Sequence, residues 1–152
     1  MLGRLTDRVV QTLTERLDAA TKSVKVSYPN GDFYEGQVLD AAQQIRHGHG
    51  IYHYAKGKGR YEGEFVNDEK CGRGSFFFTD GDSYDGQWFG NRQHGHGVSV
   101  HWSPATGVWV YEGEFRAGKR AGSGTLLARE RGALCGNWVD GRLQRGVEMR
   151  PA

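Results

Sequence analysis

Cysteine and proline are scarce in this chain: of 152 residues, two are cysteine and three are proline. Two thiols, Cys71 and Cys135, cannot staple a small secreted scaffold, and no Asn-x-Ser/Thr sequon is present. No apolar run approaches the roughly 20 residues of a membrane-spanning helix. The first residues lack both the apolar core of a signal peptide and the Met-Gly start of a myristoylation site. An excess of one charge is missing too. Twenty basic residues against 18 acidic ones leave +2, far from the basic surplus of a general nucleic-acid binder, so no nucleic-acid partner is expected. These absences lead to the expectation of a soluble, cytoplasmic protein.

Glycine, in contrast, is abundant at 24 residues, about twice its usual share. With so little proline and with 12% aromatic residues, the excess does not describe a disordered linker, because disordered chains lack apolar surface to bury. The glycines instead belong to a pattern that begins after residue 23. Before it, Leu2, Leu5, Val9, Leu13, Leu17 and Ala20 step by three or four residues. That spacing predicts an amphipathic helix over residues 2–20, whose apolar stripe needs something to bury against.

From Val24 onward one unit recurs. Tyr61-Glu-Gly63-Glu-Phe65 is followed by Gly72-Arg-Gly74, by Phe76 and Phe78, and by Asp80-Gly81. Tyr84-Asp-Gly86-Gln-Trp88 with Gly95-His-Gly97, and Tyr111-Glu-Gly113-Glu-Phe115 with Gly122-Ser-Gly124, repeat it. Each opening tyrosine stands 11 residues before its first paired glycine. Tyr34-Glu-Gly36-Gln-Val38 with Gly48-His-Gly50 is the same unit with three extra loop residues, and Leu134-Cys-Gly136-Asn-Trp138 is a degraded opening. A period in the twenties with atypical ends is the mark of a stacked array.

This pattern resembles the MORN (membrane occupation and recognition nexus) repeat family over roughly Val24 to Gly146. The resemblance, together with period-two alternation, leads to an all-β fold: an elongated, single-layer, twisted antiparallel sheet of stacked hairpins with one N-terminal helix. The expected division is a helix at 1–22, a repeat array at 24–146 and a tail at 147–152. Residues two apart share a face of a strand, so Tyr61, Gly63 and Phe65 fall on one side, as do Gly72, Gly74, Phe76 and Phe78. A glycine between rings lets neighbouring aromatics lie flat over bare backbone. Asn30-Gly31 and Asp80-Gly81 are expected to form tight hairpin turns. After Gly97, however, Val98, Val100 and Trp102 fall on the opposite parity. Either a bulge shifts the register or an apolar patch faces outward, and the adjoining Ser103–Gly107 insertion favours the bulge.

The chemistry of an enzyme is not found. His47, His49, His94 and His96 occupy the same loop-to-strand position in two repeats, and two histidines without a tied carboxylate or thiol do not make a zinc site. Phosphate-loop, nucleophile-elbow and redox motifs are missing, so no catalytic residue, metal, cofactor or small-molecule substrate is expected. The aromatic face offers more. Tyr34, Tyr61, Phe65, Tyr84, Trp88, Tyr111, Phe115 and Trp138 are expected to line a groove for a helical or extended segment of a protein partner. The stripe Leu2, Leu5, Val9, Leu13 and Leu17 is a second docking face. Arg46, Lys70, Arg73, Arg92, Lys119 and Arg120 form a candidate basic edge for anionic phospholipid. The resemblance implies a non-enzymatic scaffold in a larger complex, associated with the cytoskeleton, in a flagellar axoneme or at the cell cortex.

Overall fold

The computed structural model describes residues 22–128 and 132–149. These form eleven strands: β1 (Lys22–Ser27), β2 (Phe33–Val38), β3 (Arg46–Tyr54), β4 (Gly59–Val66), β5 (Glu69–Phe77), β6 (Ser83–Phe89), β7 (Arg92–Ser103), β8 (Gly107–Arg116), β9 (Lys119–Ala128), β10 (Gly132–Val139) and β11 (Arg142–Met149). They lie in one open sheet in chain order, each antiparallel to the next. The expected helix over residues 2–20 lies outside the described residues. The first strand begins at Lys22 and the last runs to Met149. At the usual strand spacing, eleven strands extend about 50 Å across the sheet.

The register explains the glycines. Gly36, Gly50, Gly63, Gly74, Gly86, Gly97, Gly113, Gly124, Gly136 and Gly146 pair in one unbroken file across ten strands. The opening tyrosine of a unit lies over two members of that file. A Cβ on Gly50 would stand 2.6 Å from Tyr34 Cζ, and one on Gly74 would stand 2.6 Å from Tyr61 Cε2 and Cζ. No side chain fits under those rings. The file also includes Gly136 and Gly146, so the last unit keeps its glycine pair across the strands although it has no G-x-G.

The hairpin of each repeat carries one register shift, between the unit's central glycine and its aromatic residue, as at Gly63/Phe65 and Gly86/Trp88. There the side chain of the intervening Glu or Gln accepts the backbone N–H of the residue between the two glycines. Gln37 takes His49 N–H at 2.7 Å, Glu64 Arg73 at 2.9 Å, Gln87 His96 at 2.7 Å and Glu114 Ser123 at 3.0 Å. The first glycine of each pair, Gly72 for example at φ 63°, has the left-handed conformation this bulge requires.

Two sequence expectations are corrected. The third unit has no extra register shift after Gly97, because Gly97 pairs with Gly86, Val98 with Asp85 and Val100 with Ser83. The insertion simply lengthens the β7–β8 hairpin, and Val98, Val100 and Trp102 lie on the outer face beside Val108, Val110 and Leu127. Asn30-Gly31 and Asp80-Gly81 do close tight hairpins, with Gly31 N–H on the Tyr28 carbonyl at 2.9 Å, but the two-residue turns are elsewhere. Asn30 and Asp80 are not in the left-handed region, and only Gly31 and Gly81 are. Both residues have positive φ in Asn67-Asp68, Gly90-Asn91, Ala117-Gly118 and Asp140-Gly141, the pairs that join the two strands within a unit.

Candidate functional site

Single-layer sheets have no second layer to bury their apolar face, so the rings must cover one another. The opening tyrosines do this by standing edge-on between two neighbours. Tyr61 meets Phe65 of its own unit and Trp88 of the next, each at 5.1 Å and near-perpendicular. Tyr84 meets Trp88 at 5.3 Å and Phe115 at 4.9 Å, and Tyr111 meets Phe115 and Trp138 at 5.2 Å. Tyr34 joins the row through Phe65 at 5.5 Å. Edge-to-face geometry is the favoured arrangement for such quadrupoles.

The polar ends of these rings are satisfied inside the array. The hydroxyls of Tyr34, Tyr61, Tyr84 and Tyr111 donate to the carbonyls of Gln37, Glu64, Gln87 and Glu114, three residues on. Trp88 and Trp138 donate their indole N–H to Gly74 and Gly124 of the preceding unit. Burial pushes all four phenols up, Tyr84 to about 12.

The structure therefore brings together all eight residues read as the groove, and it buries them. Tyr34, Tyr61, Tyr84, Tyr111, Phe65, Trp88, Phe115 and Trp138 expose at most 6% of their surface. They are the core of the sheet. The reachable part of the same face is a second rank that sequence reasoning did not single out: Tyr28, Tyr54, Phe78 and Trp109. Tyr28 stacks on Tyr52 at 5.7 Å, and Tyr54 and Phe78 lie tilted against Phe76 at 5.4 and 4.3 Å. Phe78 is 41% exposed. A cavity of about 400 Å³ opens here, lined by Tyr54, Gly57, Lys70, Phe76 and Phe78 among others.

The six basic residues separate by parity. Arg46, Lys70 and Arg120 share the face of the glycine file and lie among the rings. Arg46 stands over Tyr52 and Phe65 at 4.8 and 5.3 Å, with Asp68 at 2.9 Å from its Nε. Lys70 Nζ is 4.8–5.1 Å from the rings of Tyr54, Tyr61, Phe76 and Trp88. Arg120 covers Tyr111 and Trp138 at 5.0 and 5.5 Å. Arg73, Arg92 and Lys119 are exposed, and Lys119 pairs with Asp140 at 3.2 Å. The signal was in the sequence: Arg46, Lys70 and Arg120 each precede a G-x-G by two residues and so share its face.

His49, His94 and His96 are exposed, whereas His47 is half-buried. Among the described residues no group of three His, Cys, Asp or Glu side chains is placed to hold a metal ion. Cys71 and Cys135 are free thiols, half-buried, and Cys135 accepts a hydrogen bond from Thr125 at 3.3 Å. The docking stripe Leu2, Leu5, Val9, Leu13 and Leu17 lies outside the described residues.

Comparison with known proteins gives one consistent result. The MORN repeat model matches four segments, residues 45–59, 61–83, 84–100 and 111–128, and no curated protein matches the sequence. Three matched segments hold the hairpins that open at Tyr61, Tyr84 and Tyr111, and residues 45–59 hold the second strand of the unit that opens at Tyr34, while the unit that opens at Leu134 keeps the same glycine pairing. Repeats of this kind serve generally as non-enzymatic modules for contact with proteins or membrane lipids. With four of them spread over residues 45–128, this chain belongs to the MORN-repeat proteins.

Proposed function

We propose that this protein is a non-enzymatic scaffold that holds a helical or extended segment of a partner protein along its aromatic face. One observation carries the reading. Tyr28, Tyr54, Phe78 and Trp109 line the accessible side of that face, and no second layer covers it among the described residues. Aromatic side chains half-exposed beside a cavity are the groups that a partner desolvates with most gain. The resemblance to other repeat proteins of this kind supports a setting in a cytoskeletal, flagellar-axonemal or cortical assembly. The N-terminal stripe of Leu2, Leu5, Val9, Leu13 and Leu17 supplies a further contact, either within the same chain or to a neighbour.

The test is affinity capture from cell extract with the full chain, comparing wild type with Tyr54→Ala/Phe78→Ala. Loss of a specific partner in the double variant, with the fold intact by circular dichroism, supports the reading. Capture unchanged by the double variant refutes it. A second reading, contact with anionic phospholipid, has its own support. Arg92, Arg116, Lys119 and Arg120 line a cavity of about 570 Å³ beside the turn at Ala117-Gly118. Co-sedimentation with phosphatidylcholine vesicles with and without phosphoinositide, repeated with Arg92→Glu/Lys119→Glu, separates the two readings. Charge-dependent sedimentation favours lipid.

A further inference from the structure

We infer that Lys70 and Arg120 are carboxylate receptors on the aromatic face, and that the segment bound there is acidic, with one Asp or Glu side chain set against each. The inference rests on the reading above that a protein segment lies along this face.

It begins from one structural position repeated five times. The residue paired across the strands from the second aromatic of each unit, or its replacement, is Arg46 opposite Val38, Lys70 opposite Phe65, Gln93 opposite Trp88, Arg120 opposite Phe115 and Leu143 opposite Trp138. The same hairpin is built with glutamine and with leucine there. A cation at this position is therefore not needed to make the fold.

Nor is the charge of Lys70 or Arg120 consumed by the fold. Lys25, Arg60 and Lys119 find Glu35, Glu62 and Asp140, and Arg46 finds Asp68. Among the described residues, no carboxylate is within ion-pair distance of Lys70 Nζ or of the Arg120 guanidinium. Their company is aromatic. A ring face attracts a cation but supplies no acceptor for its N–H donors. Desolvation lowers Lys70 to about 8, helped by the nearby Arg46, and lowers Arg120 as well. An arriving carboxylate would relieve both sites through charge-assisted hydrogen bonds in a partly dry environment. Both reach open space: Lys70 lines the cavity of about 400 Å³ with Tyr54 and Phe78, and Arg120 lines two others of about 570 and 340 Å³.

The geometry sets the spacing of the acids. Lys70 is on β5 and Arg120 on β9, with Gln93 between them on β7. Four strand intervals are about 19 Å. A helix covers that distance in about 13 residues, and an extended chain in about six. A protein segment suits the sites better than a bilayer does. Lys70 Nζ lies among four rings, where one side chain flanked by apolar neighbours can follow it. Arg73 and Arg92, the exposed cations, have the opposite parity, so a headgroup plane drawn to them would meet the other face.

The experiment is selection of a displayed random-peptide library, each member about 16 residues and so able to span both cations as a helix, on the immobilised full chain. Selected peptides are then synthesised and measured against wild type, Lys70→Met/Arg120→Met and Tyr54→Ala/Phe78→Ala. The Met variant is expected to keep its fold, since Gln93 and Leu143 stand at equivalent positions, and a thermal melt verifies this. Selected peptides are expected to carry two acids at one of the stated spacings. They should bind wild type at least about tenfold more tightly than the Met variant, a gap that vanishes when the acids become Gln. Peptides that bind the Met variant equally well, yet fail on the Ala variant, overturn the carboxylate receptors and leave the aromatic-face reading standing. Peptides indifferent to the Ala variant overturn that reading as well. A selection without binders overturns both. Phosphatidylcholine/phosphatidylserine vesicles are the second probe: if they bind wild type and not the Met variant, the receptors serve a membrane surface instead, and the inference is overturned.

Discussion

Gly74→Ala tests the reason this chain is so rich in glycine. The added Cβ would stand 2.6 Å from Cε2 and Cζ of Tyr61, so the ring would have to retreat about 1 Å to reach an ordinary separation. It has nowhere to go. Tyr61 is fully buried, held at 5.1 Å by Phe65 on one side and Trp88 on the other, with its hydroxyl on the Glu64 carbonyl at 3.0 Å. Overpacking of this kind costs about 1–3 kcal/mol, and the displaced hydroxyl loses about 1 kcal/mol more. A destabilisation of about 3 kcal/mol is expected in urea unfolding followed by tryptophan fluorescence. Two comparisons isolate the cause. Gly81→Ala, where nothing lies within 4 Å but φ is +96°, should cost only backbone strain, about 1–2 kcal/mol. In a Tyr61→Leu background, which copies the leucine the chain itself carries at Leu134, the cost of Gly74→Ala should fall by about 2 kcal/mol. A cost below about 1 kcal/mol, or one indifferent to residue 61, would refute the ring-over-glycine account.

Alkaline pH should unfold the array. Tyr34, Tyr61, Tyr84 and Tyr111 are raised by burial, so the unfolded chain loses these protons first. Their contribution is whole below pH about 10 and falls as pH rises from there, by at most about 1.4 kcal/mol per tyrosine per pH unit. Circular dichroism and tyrosinate absorbance should change together; tyrosinate forming near pH 10 with the sheet intact would contradict this. Tyr84→Ala with Trp88→Ala should lose about 3 kcal/mol or more for each buried ring and collapse thermal stability, whereas Tyr54→Ala with Phe78→Ala should stay folded. Equal melting temperatures for the two pairs would deny the two ranks of rings. Asp68→Ala should cost about 1–2 kcal/mol, because Asp68 accepts both the backbone N–H and Nε of Arg46 across two units. A urea midpoint unchanged from wild type would show that this staple carries no weight.

The repeat, its face assignment and its antiparallel stacking could be read from the chain because period-two parity survives the hairpin. Tyr61, Gly63 and Phe65 are on the face that parity assigns, and so are Gly74, Phe76 and Phe78. What parity does not convey is depth. Tyr61 and Tyr54 look equally available in one dimension, yet only the register puts Phe65 and Trp88 against the first and leaves the second beside a cavity. Turn type was missed for a related reason. Asn67-Asp68 and Ala117-Gly118 adopt left-handed pairs although only one glycine is among them, because two strands already paired impose the turn. The outward Val98, Val100 and Trp102 went against the repeat rule, and here the parity was right and the expected bulge was not. The helix over residues 2–20 falls outside the described residues.

A repeat this constrained limits where recognition can reside. The ten-glycine file, the tyrosines above it and the Glu or Gln side chains that hold four of the bulges serve the fold, so change at those positions registers first as instability. Variation is tolerated where the same hairpin accepts different side chains, and the position opposite each second aromatic is such a place, with Arg46, Lys70, Gln93, Arg120 and Leu143 in succession. Strand spacing fixes these sites about 10 Å apart, which is close to the rise of seven helical residues. The array therefore offers a partner a ruler of constant pitch on which the order of side chains differs at each mark. Because Arg46 is already neutralised by Asp68, the order read from outside is neutral, positive, neutral, positive, neutral. Identical architecture with unequal charge gives a stacked sheet a way to hold a segment in one register.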